Sequence, residues 1–151
     1  METTFQIPFK NDIPEILDMM QAFYAIDHYS FDRKISEQNL NEFLANETLG
    51  RLWMILQDAK IVGYIVLTFG YSFEYGGRDA FIDEFYIKAG YRNKGIGKQT
   101  MGFIEEHAKK LGVKAIHLEV ESHNEKGNRL YVKQDYQGNN RSLLTKRINS
   151  V

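Results

Sequence analysis

The sequence predicts an α/β (α+β) fold: a mixed, mostly antiparallel central sheet flanked by helices, in the order β-α-α-β-β-β-α-β-α-β. Three observations carry this. Residues 81–87, Phe-Ile-Asp-Glu-Phe-Tyr-Ile, are rich in β-branched and aromatic side chains. They run through a glycine-bearing turn into residues 96–111, where Ile96, Thr100, Phe103, Ile104, His107, Ala108 and Leu111 recur at helical spacing. Residues 51–57 and 60–69 are two apolar runs joined by Asp58-Ala59, an antiparallel hairpin. A helix separates strand 81–87 from a further strand at 114–120, so those two strands should lie parallel. The 151 residues suit one domain, expected to span 1–151, and suffice for a core.

The remaining elements follow in order. Residues 3–9 read as a first strand. Asn11 or Asp12 can cap the next helix, Pro14 is tolerated in its first turn, and Ile13, Ile16, Leu17, Met20, Phe23 and Tyr24 form its apolar stripe. The connection 23–32 is aromatic and carries Asp27 and Asp32, a combination that could receive an amine cation, although most such aromatics pack against a core. Ser36 is the expected cap of a second helix reaching about residue 46, with Leu40, Phe43 and Leu44 inward. Residues 70–79 read as a polar, aromatic loop. Residues 124–134 read as a last helix, weakened by Gly127, and 142–148 as a final strand after Gly138-Asn139-Asn140.

Composition excludes several classes. A net charge of −1 gives no broad basic surface for nucleic acid. The absence of cysteine removes disulfides, a thiolate nucleophile and cysteine-ligated metal. No apolar run approaches membrane-spanning length, and residues 1–10 lack the apolar centre of a signal peptide, so a cytoplasmic location without membrane partners is the default expectation.

The chemistry concentrates in Arg92-Asn93-Lys94-Gly95-Ile96-Gly97, between strand and helix. Two glycines permit close backbone approach to a ligand, and the N–H groups of a helix start seat phosphate. Lys98 adds positive charge. A P-loop fails in both registers, because Ile96 follows Gly95 where lysine is required, and Arg92 and Gln99 stand where glycine and a hydroxyl residue are required. The dinucleotide fingerprint fails at Thr100. The remaining pattern is Arg-x-x-Gly-x-Gly.

That hexapeptide, with 82–87 before it and with Asn124 and Tyr131 after it, resembles the GNAT superfamily of N-acetyltransferases. It comes nearest in flavour to the polyamine and small-amine acetyltransferases. The resemblance runs from about residue 81 to 136, and the first half agrees in element order alone. It departs at Asp135-Tyr136, where the family usually has Gly-Phe. The resemblance implies acetyl-CoA as cosubstrate and a small-molecule or peptide amine as acceptor. It implies that the backbone of Phe85, Tyr86 and Ile87 binds the pantetheine arm. Arg92 and the backbone of Asn93, Lys94, Gly95, Ile96, Gly97 and Lys98 would hold the pyrophosphate. Asn124 would contact the pantetheine side, and Tyr131 would stand near the thioester sulfur. A homodimer is a further expectation, since the fold is often dimeric. A cleft between strands 81–87 and 114–120 is implied as well.

The amine must lose a proton and attack the thioester carbonyl, the oxyanion needs an N–H donor near Phe85 or Tyr86, and the thiolate can take a proton from Tyr131. Asp83 and Glu84 are the candidate bases. As neighbours on a regular strand they should face opposite sides, Asp83 with Phe85 and Ile87, Glu84 with Ile82 and Tyr86. The acceptor is expected near residues 23–32 and 70–79. His117, Glu119, Glu121 and His123 alternate, but alternate residues of a strand lie ~6.8 Å apart, so the four do not converge on one ion, and no metal is expected. A CoA-binding domain without turnover is the alternative reading, and a kinase the more distant one.

Overall fold

The computed structural model describes residues 2–149. Its elements are β1 (Thr3–Gln6), α1 (Ile13–Ile26), α2 (Arg33–Ala45), β2 (Gly50–Gln57), β3 (Lys60–Ser72), β4 (Gly77–Ile87), α3 (Ile96–Lys110), β5 (Ala115–Leu118) and α4 (Glu125–Lys133). The strands form one sheet in sequential order, antiparallel throughout except for the parallel pair β4 and β5. The expected α/β fold and element order hold as far as α4.

Each face of the sheet carries its own core. On one face α1 lays Ile13, Ile16, Leu17 and Met19, and α2 lays Leu40, against Leu52, Met54, Tyr64 and Val66. On the other, Met101 and Ile104 of α3 pack on Trp53, Ile65, Leu67, Ala80 and Ile82, with Leu130 and Tyr131 of α4 at the margin. The alternation of Tyr64 and Val66 with Ile65 and Leu67 along β3 divides the two cores, as a strand covered on both sides requires. His107 belongs to the second core, stacked on Phe103 at 3.9 Å with Nδ1 3.1 Å from the Phe103 carbonyl.

Several expected boundaries move. β1 ends at Gln6, not Phe9, because the chain turns into a short 3₁₀ segment, Lys10–Asp12, where Asp12 accepts from the Phe9 N–H at 2.8 Å. The cap of α2 is Asp32, which accepts from the Ile35 N–H at 3.0 Å, so Ser36 lies inside the helix. The expected loop 70–79 is mostly sheet: β3 and β4 pair from Gly63↔Ile87 to Ser72↔Gly77, leaving only a tight turn. Arg78 lies 4.4 Å from the centre of the Phe69 ring, a cross-strand cation–π contact that helps hold this extension. β5 is shorter than the predicted 114–120. Residues 142–148, the expected final strand, pair with nothing and form no strand. The turn at Asp58-Ala59 has both residues at positive φ, 49° and 68°, the geometry that closes a two-residue hairpin.

Candidate active site

Pairing between β4 and β5 stops early. Asp79, Ala80, Phe81 and Ile82 have partners in Ala115–Leu118, and residues 83–87 have none on that side. Past Leu118 the chain is drawn to the connection after α1, where the Tyr29 hydroxyl donates to Glu121 at 2.6 Å and His123 Nε2 lies 2.9 Å from Asp27. The two parallel strands therefore part, and the edge of β4 at residues 83–87 keeps free backbone groups. Such groups are obligatory hydrogen-bonding partners for whatever enters the gap. The same contacts show that Asp27 is engaged by His123 and Asp32 by the α2 cap. Each of these acids uses one carboxylate oxygen, Oδ1, in that contact.

The turn after β4 sits at the mouth of this gap. Asn93 and Gly95 are both left-handed, with φ of 63° and 82°. Gly95 is the N-cap of α3 and, lacking a side chain, accepts no hydrogen bond from the first helical N–H groups. The first N–H groups of α3 therefore have no intrahelical partner and point outward with the positive end of the helix dipole. Arg92 is exposed and folds back: its Nε donates to the Ile87 carbonyl at 2.7 Å, and its guanidinium lies 5.5 Å from the Tyr86 ring centre. Lys94 lies over Tyr91 at 5.7 Å, and Lys98 is exposed. Gly97 leaves room for α4, since a Cβ there would come within 3.1 Å of Leu130.

The carboxylates depart from the expected arrangement. β3 and β4 are out of step between Val66 and Leu67: Val66 faces Glu84, Leu67 faces Ile82, and Asp83 is the extra residue of a β-bulge. The bulge cancels one alternation. Ile82 and Phe85 point to the α3 face, while Asp83 and Glu84 both line a crevice of about 220 Å³ on the α1–α2 face. Glu84 is half-buried and accepts from two phenols, Tyr24 at 2.5 Å on Oε2 and Tyr64 at 2.8 Å on Oε1. Burial pushes its carboxyl above the usual range, the two hydroxyls oppose this, and neighbouring Asp83 adds to it. Asp83 opens to solvent on one side, and partial dehydration on its inner side raises its carboxyl too. The same burial, with the hydrogen bond to Glu84, raises the Tyr24 and Tyr64 hydroxyls, so both remain protonated donors.

The crevice is otherwise walled by Met20, Leu40, Phe43, Leu52 and Val66, with Asn39, Ser36 and Thr68 as neutral polar groups. Of the stretch 23–32 only Tyr24 reaches it. Residues 70–79 lie toward the opposite end of β4 and contribute nothing to it.

On the α3 face, Asn124 caps α4 by accepting from the Gly127 N–H at 2.9 Å. A Cβ on Gly127 would meet that side chain at 2.5 Å, so the glycine that weakened the predicted helix is what lets its cap close. Tyr131 packs at the edge of the second core, 6.0 Å from the Tyr136 ring, and burial raises its hydroxyl. The structure thus joins Asp83, Glu84, the free β4 edge and the α3 start around one opening in the sheet, while Tyr131 lies with α4 at the edge of the second core. Tyr64 and Leu40 were not singled out from sequence as site residues, and Tyr24 was expected there only as part of the stretch 23–32. Among the described residues no group of acids and histidines could hold a metal ion, and His117 instead pairs with Asp79 at 3.1 Å.

The fold is a mixed sheet opened at its parted parallel strand pair. A profile of the acetyltransferase (GNAT) family matches residues 14–136, and the chain belongs to that family. It is 31% identical over 87 residues to YycN, an uncharacterised N-acetyltransferase of Bacillus subtilis strain 168; the alignment takes in 57% of this chain and 54% of that protein, so the chain matches about half the length of its curated relative. Among solved structures, the integron cassette protein HFX_CASS3 from the mobile metagenome of Cole Harbour Salt Marsh is 27% identical with a TM-score of 0.86, covering 97% of this chain and 91% of that one. A structure described as a predicted acetyltransferase with acetyl-CoA, from Clostridium acetobutylicum, shares the fold at a TM-score of 0.80 and 18% identity, with 96% of each chain covered. Among the described residues no helix is long and apolar enough to cross a membrane.

Proposed function

We infer that the protein is an acetyl-CoA-dependent N-acetyltransferase that moves the acetyl group to a primary amine of a small molecule or peptide by direct attack in a ternary complex. The observation that carries this is the unpaired edge of β4 at residues 83–87, open to the bare start of α3 at one end and to the carboxylate crevice at the other. The donor contributes the thioester; the chain supplies the rest. The N–H groups of Ile96, Gly97 and Lys98, with Arg92, receive the pyrophosphate, and the backbone of Phe85, Tyr86 and Ile87 receives the pantetheine arm as a short ladder. Asn124 fixes the start of α4 beside that arm.

The acceptor enters from the opposite face, through the crevice. Asp83 is the carboxylate free to take the amine proton, because both Glu84 oxygens are already held by Tyr24 and Tyr64. Glu84 then acts as a positioning residue and a fixed negative charge for the ammonium. The neutral amine attacks the carbonyl carbon, the C–N bond forms, and a β4 N–H near Phe85 or Tyr86 stabilises the oxyanion. Asp83, exposed on one side, passes its first proton to solvent and takes the second from the nitrogen as the intermediate collapses; the C–S bond breaks, and Tyr131 protonates the thiolate and regains its proton from solvent. The crevice favours a small amine with an apolar body, since two acids sit at one end of a wall of Met20, Leu40, Phe43, Leu52 and Val66.

The test is CoA release read with a thiol reagent, which the cysteine-free chain does not itself consume. Small aryl- and alkylamines should be acetylated ahead of polyamines, amino acids and aminoglycosides. Tight acetyl-CoA binding with no turnover on any amine would point instead to a non-catalytic CoA-binding domain.

A further inference from the structure

Sequence and structure disagree about where β5 ends. Residues 114–120 have strand character, and the polar alternation of His117, Glu119, Glu121 and His123 runs on past them. Residues 119–123 contain neither proline nor glycine, so nothing in the backbone forbids them a ladder. Pairing with β4 nevertheless stops at Ile82↔Leu118. In that register Glu119 and Val120 would stand beside Asp83 and Glu84. A strand at the usual spacing of ~4.8 Å leaves no room between itself and β4 for a ligand.

The chain past Leu118 bonds across the opening instead. Glu121 Oε1 accepts from the Tyr29 hydroxyl at 2.6 Å, and His123 Nε2 lies 2.9 Å from Asp27 Oδ1. Among the described residues these are the side-chain hydrogen bonds that reach from 119–124 to the connection after α1. The end of α1 is built to aim them. The Tyr29 N–H donates to the Tyr24 carbonyl at 3.0 Å and the His28 N–H to the Ala25 carbonyl at 3.3 Å, the pair of bonds that closes a helix through a left-handed residue. His28 fills that left-handed position, with φ of 60°, where glycine is ordinarily found. Asp27 and Tyr29 flank it. On the other side the Glu121 carbonyl accepts from the Asn124 N–H at 3.0 Å and from the Asn128 side chain at 3.2 Å. Those bonds are local to the turn into α4 and move with it, so they do not tie it to the far side.

We propose that Tyr29–Glu121 and His123–Asp27 form a two-bond clasp that holds residues 119–123 off the edge of β4, which makes Tyr29 and His123 positioning residues for the donor gap. The role in catalysis rests on the acetyltransferase reading; the clasp itself rests on the sheet geometry. With the clasp released, the chain past Leu118 extends the ladder and the open form becomes a fraction of the molecules. Apparent donor affinity then falls by that fraction, while the complex that does form reacts as before.

The test is amide hydrogen exchange by NMR on the full chain carrying Tyr29→Phe with His123→Ala; both residues are exposed, so the fold should survive. Exchange at residues 83–86 should slow by roughly tenfold or more as the edge pairs. Loss of an ordinary surface contact predicts the reverse, faster exchange. KM for acetyl-CoA should rise by roughly tenfold with kcat at saturation retained. The chain has no native cysteine, so Asp27→Cys with His123→Cys, added to Tyr29→Phe and bridged by a short bis-maleimide, should return both readings toward native. Unchanged or faster exchange at 83–86 would overturn the clasp and assign the parting of the strands to the bulge at Asp83. So would a bridged variant that stays protected. Slower exchange with an unchanged KM would overturn the positioning role. A native chain that binds no acetyl-CoA would refute the acetyltransferase reading, and the exchange comparison would still decide the clasp.

Discussion

Tyr64→Phe isolates the arrangement that distinguishes Glu84 from Asp83. Tyr64 is fully buried, and its hydroxyl donates to Glu84 Oε1 at 2.8 Å. The substitution keeps the ring, and with it the packing on Tyr86 and Phe23, and removes one bond to a carboxylate. A hydrogen bond to a charged group contributes about 1.5–3 kcal/mol, and one to a neutral group about 0.5–1.5 kcal/mol. At a pH where Glu84 is ionised the variant should lose the larger amount, lowering Tm by about 3–12 °C for a chain of this size. The sign of the pH dependence follows from the raised carboxyl. The folded state binds the Glu84 proton more tightly than the unfolded state, so the contribution of Glu84 is most favourable below its unfolded pKa and declines as pH rises through the folded one. The Tyr64 hydroxyl limits that decline. Without it the folded pKa climbs further, and the loss grows with pH. Urea unfolding near about pH 4.5 and about pH 8 reads both limits, with an unchanged m-value confirming that the two states are the same. A loss equal at the two pH values would mean that Glu84 is not an ionised acceptor, and the division of labour between the carboxylates would fail with it.

The other predictions address the reacting atoms directly. Asp83→Asn should lower kcat/KM by about 10²-fold or more and abolish an acid limb that, in the native chain, lies above the usual carboxylate range, because the base must be deprotonated and burial raises it; an unchanged limb would move the base elsewhere. Gly95→Val strains a residue at φ 82° and Gly97→Val drives a side chain into Leu130, so calorimetry should find acetyl-CoA binding abolished in folded protein, and unchanged affinity would refute the phosphate seat. Tyr131→Phe removes a hydroxyl on a half-buried ring and should cut kcat by about 10²-fold while leaving cofactor affinity near its native value. Native kcat across the pH range would remove Tyr131 from the reaction.

What the sequence made legible was local. The turn at 92–97 and α3 follow from residues within a few positions of one another: two glycines, a helical stripe and Gly112. The Asp58-Ala59 hairpin and the helix beginning at Asn124 are likewise short-range. The errors are those of tertiary pairing. Residues 70–79 look like a loop because they are polar and glycine-bearing, yet the register of β3 on β4 carries them into the sheet. Asp32 outcompetes Ser36 as a cap because the connection after α1 ends there. Tyr24 and Tyr64 stand 60 and 20 residues from the glutamate that they bind, a separation no periodicity reveals.

The bulge at Asp83 matters most among these, because it decides the chemistry. In a regular strand one of two adjacent carboxylates must face α3, on the side expected to receive the donor, and the other the acceptor. One extra residue opposite Val66 and Leu67 turns both to the α1–α2 face while Ile82 and Phe85 keep their places in the second core. It falls at the residue immediately after the last β4–β5 pair, Ile82↔Leu118. The irregularity that gathers the acids therefore coincides with the place where the sheet opens. On the proposed function, an amine approaching from α1 and α2 and a thioester lying along β4 would meet through the sheet, each on its own side, with no need for an acyl group to rest on the protein.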